Sequence, residues 1–325
     1  MNNPWLVEQR LLNKTLKKLP DTCSRCTKAE ASGLPSRRTS VIQYYTLNNI
    51  ELNDQDLINL DYNCQRVCNL KCITCNGQFS SSWIEDEKAL GIFVNPDVIK
   101  VKHNTLIDEL DLSQVLKVHF NGGEPFMSND HIAIMKRIVD HNNAGRCDIS
   151  YNTNGTFLPK QEVIDLWKNF KTVKIFFSID AIGPAFEYIR YPGKWNQILD
   201  NIQWWKQLSE ACILLEFNVA LGMHNVLYVN DLVDWIENNV ESNYFGDPAH
   251  ISVQLVGHPS LQIENLPENK KQQADQQLAL LSGYAWAHGA RKELQKPSNN
   301  NWQQWLNQLD TIRGTSWRHS LSRLV

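Results

Sequence analysis

The sequence predicts an α/β fold built on one parallel sheet. Three observations carry this. Six short runs rich in Val, Ile, Leu, Phe or Tyr recur from residue 57 onward. Stretches with helical periodicity lie between them. The polar loops follow strand after strand at one edge, where α/β sheets gather their chemistry.

The first run, Leu57–Tyr62, leads into a cysteine-rich loop. Val115–Phe120 leads into Asn121-Gly122-Gly123-Glu124-Pro125, and Cys147–Asn152 into Thr153-Asn154-Gly155. Val163, Leu166, Trp167 and Phe170 keep helical spacing behind Pro159. Val173–Ile179 runs into Ser178-Ile179-Asp180. A helix is expected through Trp195, Ile198, Leu199, Ile202 and Trp205, before the strand Ile213–Ala220. Another should run through Val229, Leu232, Val233, Ile236 and Val240, before Ile251–Val256. Six strands with helices between them imply a parallel sheet covered on one face. Periodicity alone leaves open whether it curls into a partial barrel.

The 325 residues are 42% hydrophobic, enough for a sizeable core, and carry a net charge of −3, which gives no nucleic-acid signal. Residues 1–40 hold eight Lys/Arg against three Asp/Glu, a local excess of five positive charges. That is a solvated basic face or compensation for a nearby anionic cluster. Glu8 and Arg10 interrupt the one candidate secretion signal. No apolar run approaches the ~18 residues that cross a bilayer. A soluble, cytoplasmic protein is expected. Eight cysteines in that setting argue for thiolate ligands rather than disulfides.

Cys64, Cys68, Cys72 and Cys75 fall within twelve residues, and the last three have C-x3-C-x2-C spacing. Fe–S clusters usually take four thiolates. A cubane held by three leaves one iron open to an outside ligand. A structural zinc site with Cys64 as fourth ligand is the rival reading, although zinc motifs usually pair two C-x2-C units. Gly122 and Gly123 permit close backbone approach, and Glu124 sets a carboxylate at the strand end, suited to an ammonium group. Asn154 and Gly155 form a turn or touch a ligand. Ser178 and Asp180 alternate along a strand and share a side, or Asp180 caps the next helix. Arg190 is a carboxylate clamp or a surface Arg. Cys23 and Cys26 form a lone C-x2-C that Cys64 could join, while Cys147 and Cys212 read as buried strand cysteines.

Taken together, these residues resemble the radical S-adenosylmethionine superfamily. Cys-Asn-Leu-Lys-Cys-Ile-Thr-Cys at 68–75 matches its cysteine motif, and Gly122-Gly123-Glu124-Pro125 its GGEP motif. The resemblance extends to the subgroup with a twitch auxiliary-cluster domain, through Cys23, Cys26, Glu30, Gly33, Ser36 and Arg38, through Ser80 to Trp83, and through Leu309, Asp310, Arg313 and Gly314. Thr74 departs from the aromatic residue usual beside the adenine. Members often carry further cysteines ahead of the C-x2-C element, and this sequence starts at Met1 without them.

The resemblance implies a partial (β/α)6 TIM-like barrel with a small N-terminal Cys-containing extension and a C-terminal helical tail. The corresponding divisions are 1–50, 51–260 and 261–325. It implies a [4Fe–4S] cluster on Cys68, Cys72 and Cys75, with S-adenosyl-L-methionine on its open iron. It also implies a possible second Fe–S cluster on Cys23, Cys26 and Cys64. Gly122, Gly123 and Glu124 would meet the methionine amino group, and Asn154, Ser178, Asp180 and Arg190 the ribose or carboxylate. The implied activity is hydrogen abstraction by a 5′-deoxyadenosyl radical from a peptide, with an external electron donor such as flavodoxin or ferredoxin. Alternatives are a carbohydrate or nucleoside substrate, or a non-catalytic Fe–S protein that senses redox state.

Overall fold

The computed structural model describes residues 24–31, 39, 42–43, 46–47, 57–92, 108–208, 213–240, 251–298 and 302–325. The chain divides into two compact units, Met1–Leu57 with Thr105–Asp111, and Ile58–Asn104 with Leu112–Val325. In the first, helix α1 (Ser24–Ala31) carries Cys26, half-buried.

The second unit runs β1 (Asn59–Cys64), α2 (Trp83–Ala89), β2 (Lys117–Gly122), α3 (Asp130–Asp140), β3 (Asp148–Thr153), α4 (Gln161–Trp167) and β4 (Thr172–Ser178). It continues through α5 (Gly183–Ile189), α6 (Trp195–Leu208), β5 (Ile213–Leu221), α7 (Val229–Asn239) and β6 (Ile251–Leu255). Four helices close it: α8 (Glu268–Leu280), α9 (Ala285–Leu294), α10 (Trp302–Arg313) and α11 (Trp317–Ser320). The six strands lie in chain order, every neighbouring pair parallel, as expected of strand–helix–strand crossovers.

The two faces of the sheet differ chemically. One is apolar: Val118, Phe120, Ile149, Tyr151, Val173, Ile175, Phe177, Phe217 and Val219 are buried. Helices cover this face, with Trp167 of α4 against Tyr151 at 5.7 Å and Trp205 of α6 against Phe177 at 5.6 Å. Side chains of this size each stabilise the fold by roughly 1.5–3 kcal/mol on full burial.

The other face is polar. Asn121 Nδ2 donates to Asp61 Oδ1 (2.7 Å), Asn152 Nδ2 to Asn121 Oδ1 (2.6 Å), and Asn218 Nδ2 to Asn152 Oδ1 (2.8 Å). Asn152 and Asn218 belong to β3 and β5, with β4 between them. In a flat sheet those strands would stand about 9.5 Å apart. Their amides meet because the sheet curls toward this face, as in a partial (β/α)6 barrel. A closed barrel fills its interior with branched aliphatic side chains; amides there instead leave a wettable concave wall. No helix among the described residues is long and apolar enough to cross a membrane.

Candidate active site

At the C-terminal ends of the strands lies a cavity of about 520 Å3. Cys68, Cys72 and Cys75 line it from the loop after β1, Gly122 and Gly123 from the end of β2, and Asn154 from the loop after β3. Ser178 lines it from the last residue of β4, and Arg190 from the end of α5. Eight residues picked out in the sequence therefore share one cavity.

The cysteine loop has no regular secondary structure, so its backbone groups need other partners. Ser80 to Trp83 supply four. Ser80 Oγ donates to Leu70 O (2.7 Å), Ser82 Oγ to Cys68 O (2.6 Å), and Trp83 Nε1 to Cys72 O (2.8 Å). Cys68 N donates to Ser81 Oγ (3.3 Å). On the other side, Lys71 N donates to Tyr191 O (2.6 Å) and Ile73 N to Ile189 O (2.9 Å). Behind the loop, Arg313 Nε of α10 meets Asp86 Oδ2 of α2 at 2.7 Å, both side chains 3% exposed. The Arg313 guanidinium also lies 4.7 Å from the ring centre of Trp83, and Lys71 Nζ reaches Asp86 Oδ1 at 2.9 Å.

Burial pushes the thiols up, Cys72 to about 12, Cys75 to about 11, and Cys68 in the same direction. The nearby Arg190 guanidinium works against this at Cys72, with Nη1 4.0 Å from Sγ. Arg190 Nη2 is paired with Asp180 Oδ2 at 2.9 Å, and Asp180 Oδ1 accepts from Ala220 N at 2.8 Å. Asp180 is 0% exposed and does not line the cavity. It holds Arg190 against the cysteine loop.

Gly122 and Gly123 make their close approach to the cysteine loop itself. Gly122 has φ +125°, and a Cβ on it would stand 2.5 Å from Gln65 O; one on Gly123 would stand 2.3 Å from Val67 O. Gly123 N donates to Gln65 O (3.0 Å) and Glu124 N to Val67 O (2.8 Å). The Glu124 carboxylate is 0% exposed and turned beneath the cavity. Its Oε1 accepts from Thr153 Oγ1 (2.8 Å) and Phe126 N (3.2 Å), and Oε2 from Asn154 N (2.7 Å). Burial, opposed by these donors, pushes its pKa up to about 7. Asn154 Nδ2 donates to Asn69 Oδ1 (2.9 Å) and stands 3.7 Å from Cys68 Sγ.

Cys64 is apart from this group. It is 0% exposed at the end of β1, does not line the cavity, and has Asp130, Glu124 and the His131 backbone as its electrostatic neighbours. Cys26 is on α1 in the other unit, and Cys23, like Cys212, lies outside the described residues. Among the described residues, no three His, Cys, Asp or Glu side chains gather closely enough for one metal ion. Three thiols spread along one cavity, without a fourth beside them among the described residues, suit a multi-iron cluster better than tetrahedral zinc. Sequence reasoning missed Phe79, Asn63, Asn152 and Gln254, which also line the cavity. A signal existed for the asparagines: polar residues at every second position of Asp61-Tyr62-Asn63 and Ser150-Tyr151-Asn152.

A curled parallel sheet with three thiols on its first strand-end loop, at a cavity braced by polar motifs, has the donor set for a metal cluster. Residues 62–232 match the Radical SAM superfamily, and the chain belongs to it. That family uses a [4Fe–4S] cluster and S-adenosylmethionine. The chain is 27% identical over 170 residues to a GTP 3′,8-cyclase of Limosilactobacillus fermentum, covering 52% of this chain and 46% of that protein. It is 29% identical over 164 residues to the GTP 3′,8-cyclase of Lactiplantibacillus plantarum, covering 49% and 44%. The chain thus spans about half the length of the curated relatives it matches. Among solved structures it is similar to native anSMEcpe with bound AdoMet (TM-score 0.47, 15% identity, 72% of this chain and 62% of that one). It is also similar to Streptococcus suis SuiB bound to precursor peptide SuiA (TM-score 0.44, 13% identity, 95% and 58%). Likeness at this level transfers no residue role and no substrate.

Proposed function

We propose that this radical SAM enzyme acts on a peptide. One observation carries the substrate class: the cavity wall is neutral and rich in amides. Asn63, Asn121, Asn152, Asn154 and Gln254 line it, and among the described residues Arg190 is its one cation. Arg190 is committed to Asp180 and Cys72. Side-chain amides offer paired donors and acceptors that match a peptide backbone. A nucleoside triphosphate calls for several Lys or Arg groups or a divalent ion. The nucleotide reading is favoured instead by the GTP 3′,8-cyclase relatives.

Cys68, Cys72 and Cys75 would hold the cluster, and as thiolates they would release their protons on loading. When bound, the cluster and S-adenosylmethionine supply a 5′-deoxyadenosyl radical that takes hydrogen from the substrate. Gly122 and Gly123 line the side suited to the methionine amino group, with Glu124 bracing them from below. Ser178 and Arg190 would meet the ribose or carboxylate, and Asp180 would orient Arg190. An external flavodoxin or ferredoxin would deliver the electron. Cys23 and Cys26 would contribute to a second cluster.

The test is anaerobic reconstitution followed by dithionite. Protein with iron loaded on the three cysteines should form 5′-deoxyadenosine from S-adenosylmethionine. Yield at buffer background, with iron present, refutes the enzymatic reading. The peptide reading predicts a mass change in a short precursor encoded beside this gene and no consumption of GTP. GTP turnover would reverse that assignment.

A further inference from the structure

A single exposed apolar side chain on a protein surface is ordinary. Phe79 differs in where it is and how it is held. It is 58% exposed, and it is the one aromatic side chain among the described residues that line the cavity. It sits four residues past Cys75, in a turn pinned at several points. Phe79 N and Ser80 N both donate to Asn76 O, at 3.1 and 3.0 Å. Gln78 N donates to Asn76 Oδ1 (2.9 Å), and Gly77 N to Glu87 Oε1 of α2 (2.8 Å). A Cβ on Gly77 would stand 2.2 Å from Glu87 Oε2, so α2 and the turn fit closely. Directly after Phe79, Ser80 is 1% exposed and bonded to Leu70 O. The fold thus fixes the backbone on both sides of Phe79 and leaves its ring bare at the cavity wall.

Among the described residues the rest of that wall is amide, hydroxyl, thiol and glycine, with Leu70 as its other large apolar side chain and the Arg190 guanidinium, which is tied to Asp180. Such groups can meet the amino acid and ribose portions of S-adenosylmethionine. They offer no flat apolar surface to a purine, whose faces gain most from aromatic stacking. We infer that Phe79 is the stacking face for the adenine of S-adenosylmethionine. This rests on the radical SAM reading of the cavity. It also places the base over the Cys75 side, and the polar strand-end groups opposite for the rest of the nucleotide. Thr74, the neighbour of Cys75 on the same wall, has no ring to offer.

Equilibrium dialysis of anaerobically reconstituted wild type, Phe79→Ala and Phe79→Trp tests the assignment. The probes are S-adenosylmethionine and, as a ligand without a base, methionine. Phe79→Ala should weaken S-adenosylmethionine binding about tenfold, or about 1.4 kcal/mol, with methionine binding and iron content unchanged. Phe79→Trp should restore the affinity. Unchanged nucleotide binding in Phe79→Ala, or an equal loss for both probes, overturns the assignment. Because the ring is exposed, its removal leaves no cavity in the core; should Phe79→Ala nevertheless load less iron, Phe79→Leu replaces it under the same two criteria. If wild type carries its iron and binds no S-adenosylmethionine, the cavity reading itself fails, a result distinct from a null effect at Phe79.

Discussion

Glu124→Gln separates a brace from a ligand by its pH dependence. The carboxylate joins the end of β2 to the loop after β3 through Phe126 N, Thr153 Oγ1 and Asn154 N. A glutamine keeps the shape but has one acceptor oxygen. With that oxygen on Asn154 N, its NH2 faces Thr153, whose hydroxyl can turn to accept, and Phe126 N, which cannot. One buried N–H is left unpaired, at a cost of about 1–3 kcal/mol. The charge works the other way. Burial raises Glu124 from an ordinary 4.5 to about 7, an interval worth about 3 kcal/mol. A carboxyl raised on folding stabilises the folded state fully below the ordinary value. That contribution is lost as pH rises through 7, because the folded chain must then ionise a buried group. Glutamine has no such loss. Between pH 5 and pH 8 the stability difference should therefore move by about 2–3 kcal/mol in favour of the variant. Urea unfolding of the metal-free chain at several pH values measures it. A difference that stays flat with pH would refute the reasoning, since Glu124 would then titrate as an ordinary surface carboxylate.

Asp86→Asn should destabilise the chain by about 2–4 kcal/mol, because it strands the buried Arg313 charge, and Arg313→Leu by less, because Lys71 still pairs with Asp86. A double-mutant cycle in urea should give a coupling above about 1 kcal/mol, and strict additivity would show the pair to be idle. Replacing Cys23 and Cys26 together by Ala should lower iron from about eight to about four per chain if the second site is a cubane; an unchanged count would leave both cysteines structural.

β2 to β5 were legible because each buries an apolar stripe on the helix-covered face, whereas β1 buries only Tyr62 and Cys64 and β6 only Ile251. The strand ends were not. The expected ends Tyr62 and Phe120 fall two residues short of Cys64 and Gly122, and Asn152 falls one short of Thr153. Asn63, Asn121 and Thr153 line the polar cavity and β2 stops at glycine, so an apolar window closes before the hydrogen-bonded ladder does. The same bias hid the concave wall, since Asn63 falls past the expected end of its strand and Asn152 reads as no more than a polar terminus. Period-two reasoning placed Ser178 and Asp180 on one side. β4 ends at Ser178, and past that point the alternation no longer applies, so Asp180 is buried while Ser178 faces the cavity. Glu124 read as an ammonium partner from its place at the strand end, and its bonds to Phe126 N and Asn154 N went unseen because backbone N–H groups have no signature in a sequence. The three cysteines were legible from spacing alone, because thiolate chemistry leaves few other uses for that pattern.

The motif residues do two jobs, and the geometry separates them. Gly122 and Gly123 seat the backbone of residues 64–67, and Glu124 ties that seat to Asn154. Asn154 in turn holds Asn69 of the cysteine loop, and Asp180 holds Arg190 beside Cys72. Ser80 to Trp83 take the loop's backbone groups, and Arg313 backs Trp83 from the C-terminal helix. Every strand-end motif is thus fastened to the cysteine loop before any cofactor is considered. A loop without regular secondary structure loses about 1–2 kcal/mol of entropy per residue when fixed, and these contacts are what offset it. Loss of function on changing one of them therefore has two sources, a missing contact to the nucleotide or a cysteine loop that no longer holds its thiols in place. Iron content distinguishes them: a bracing residue such as Glu124 or Asp86 lowers iron retention and nucleotide binding together, whereas a group that touches only the nucleotide leaves the iron where it was.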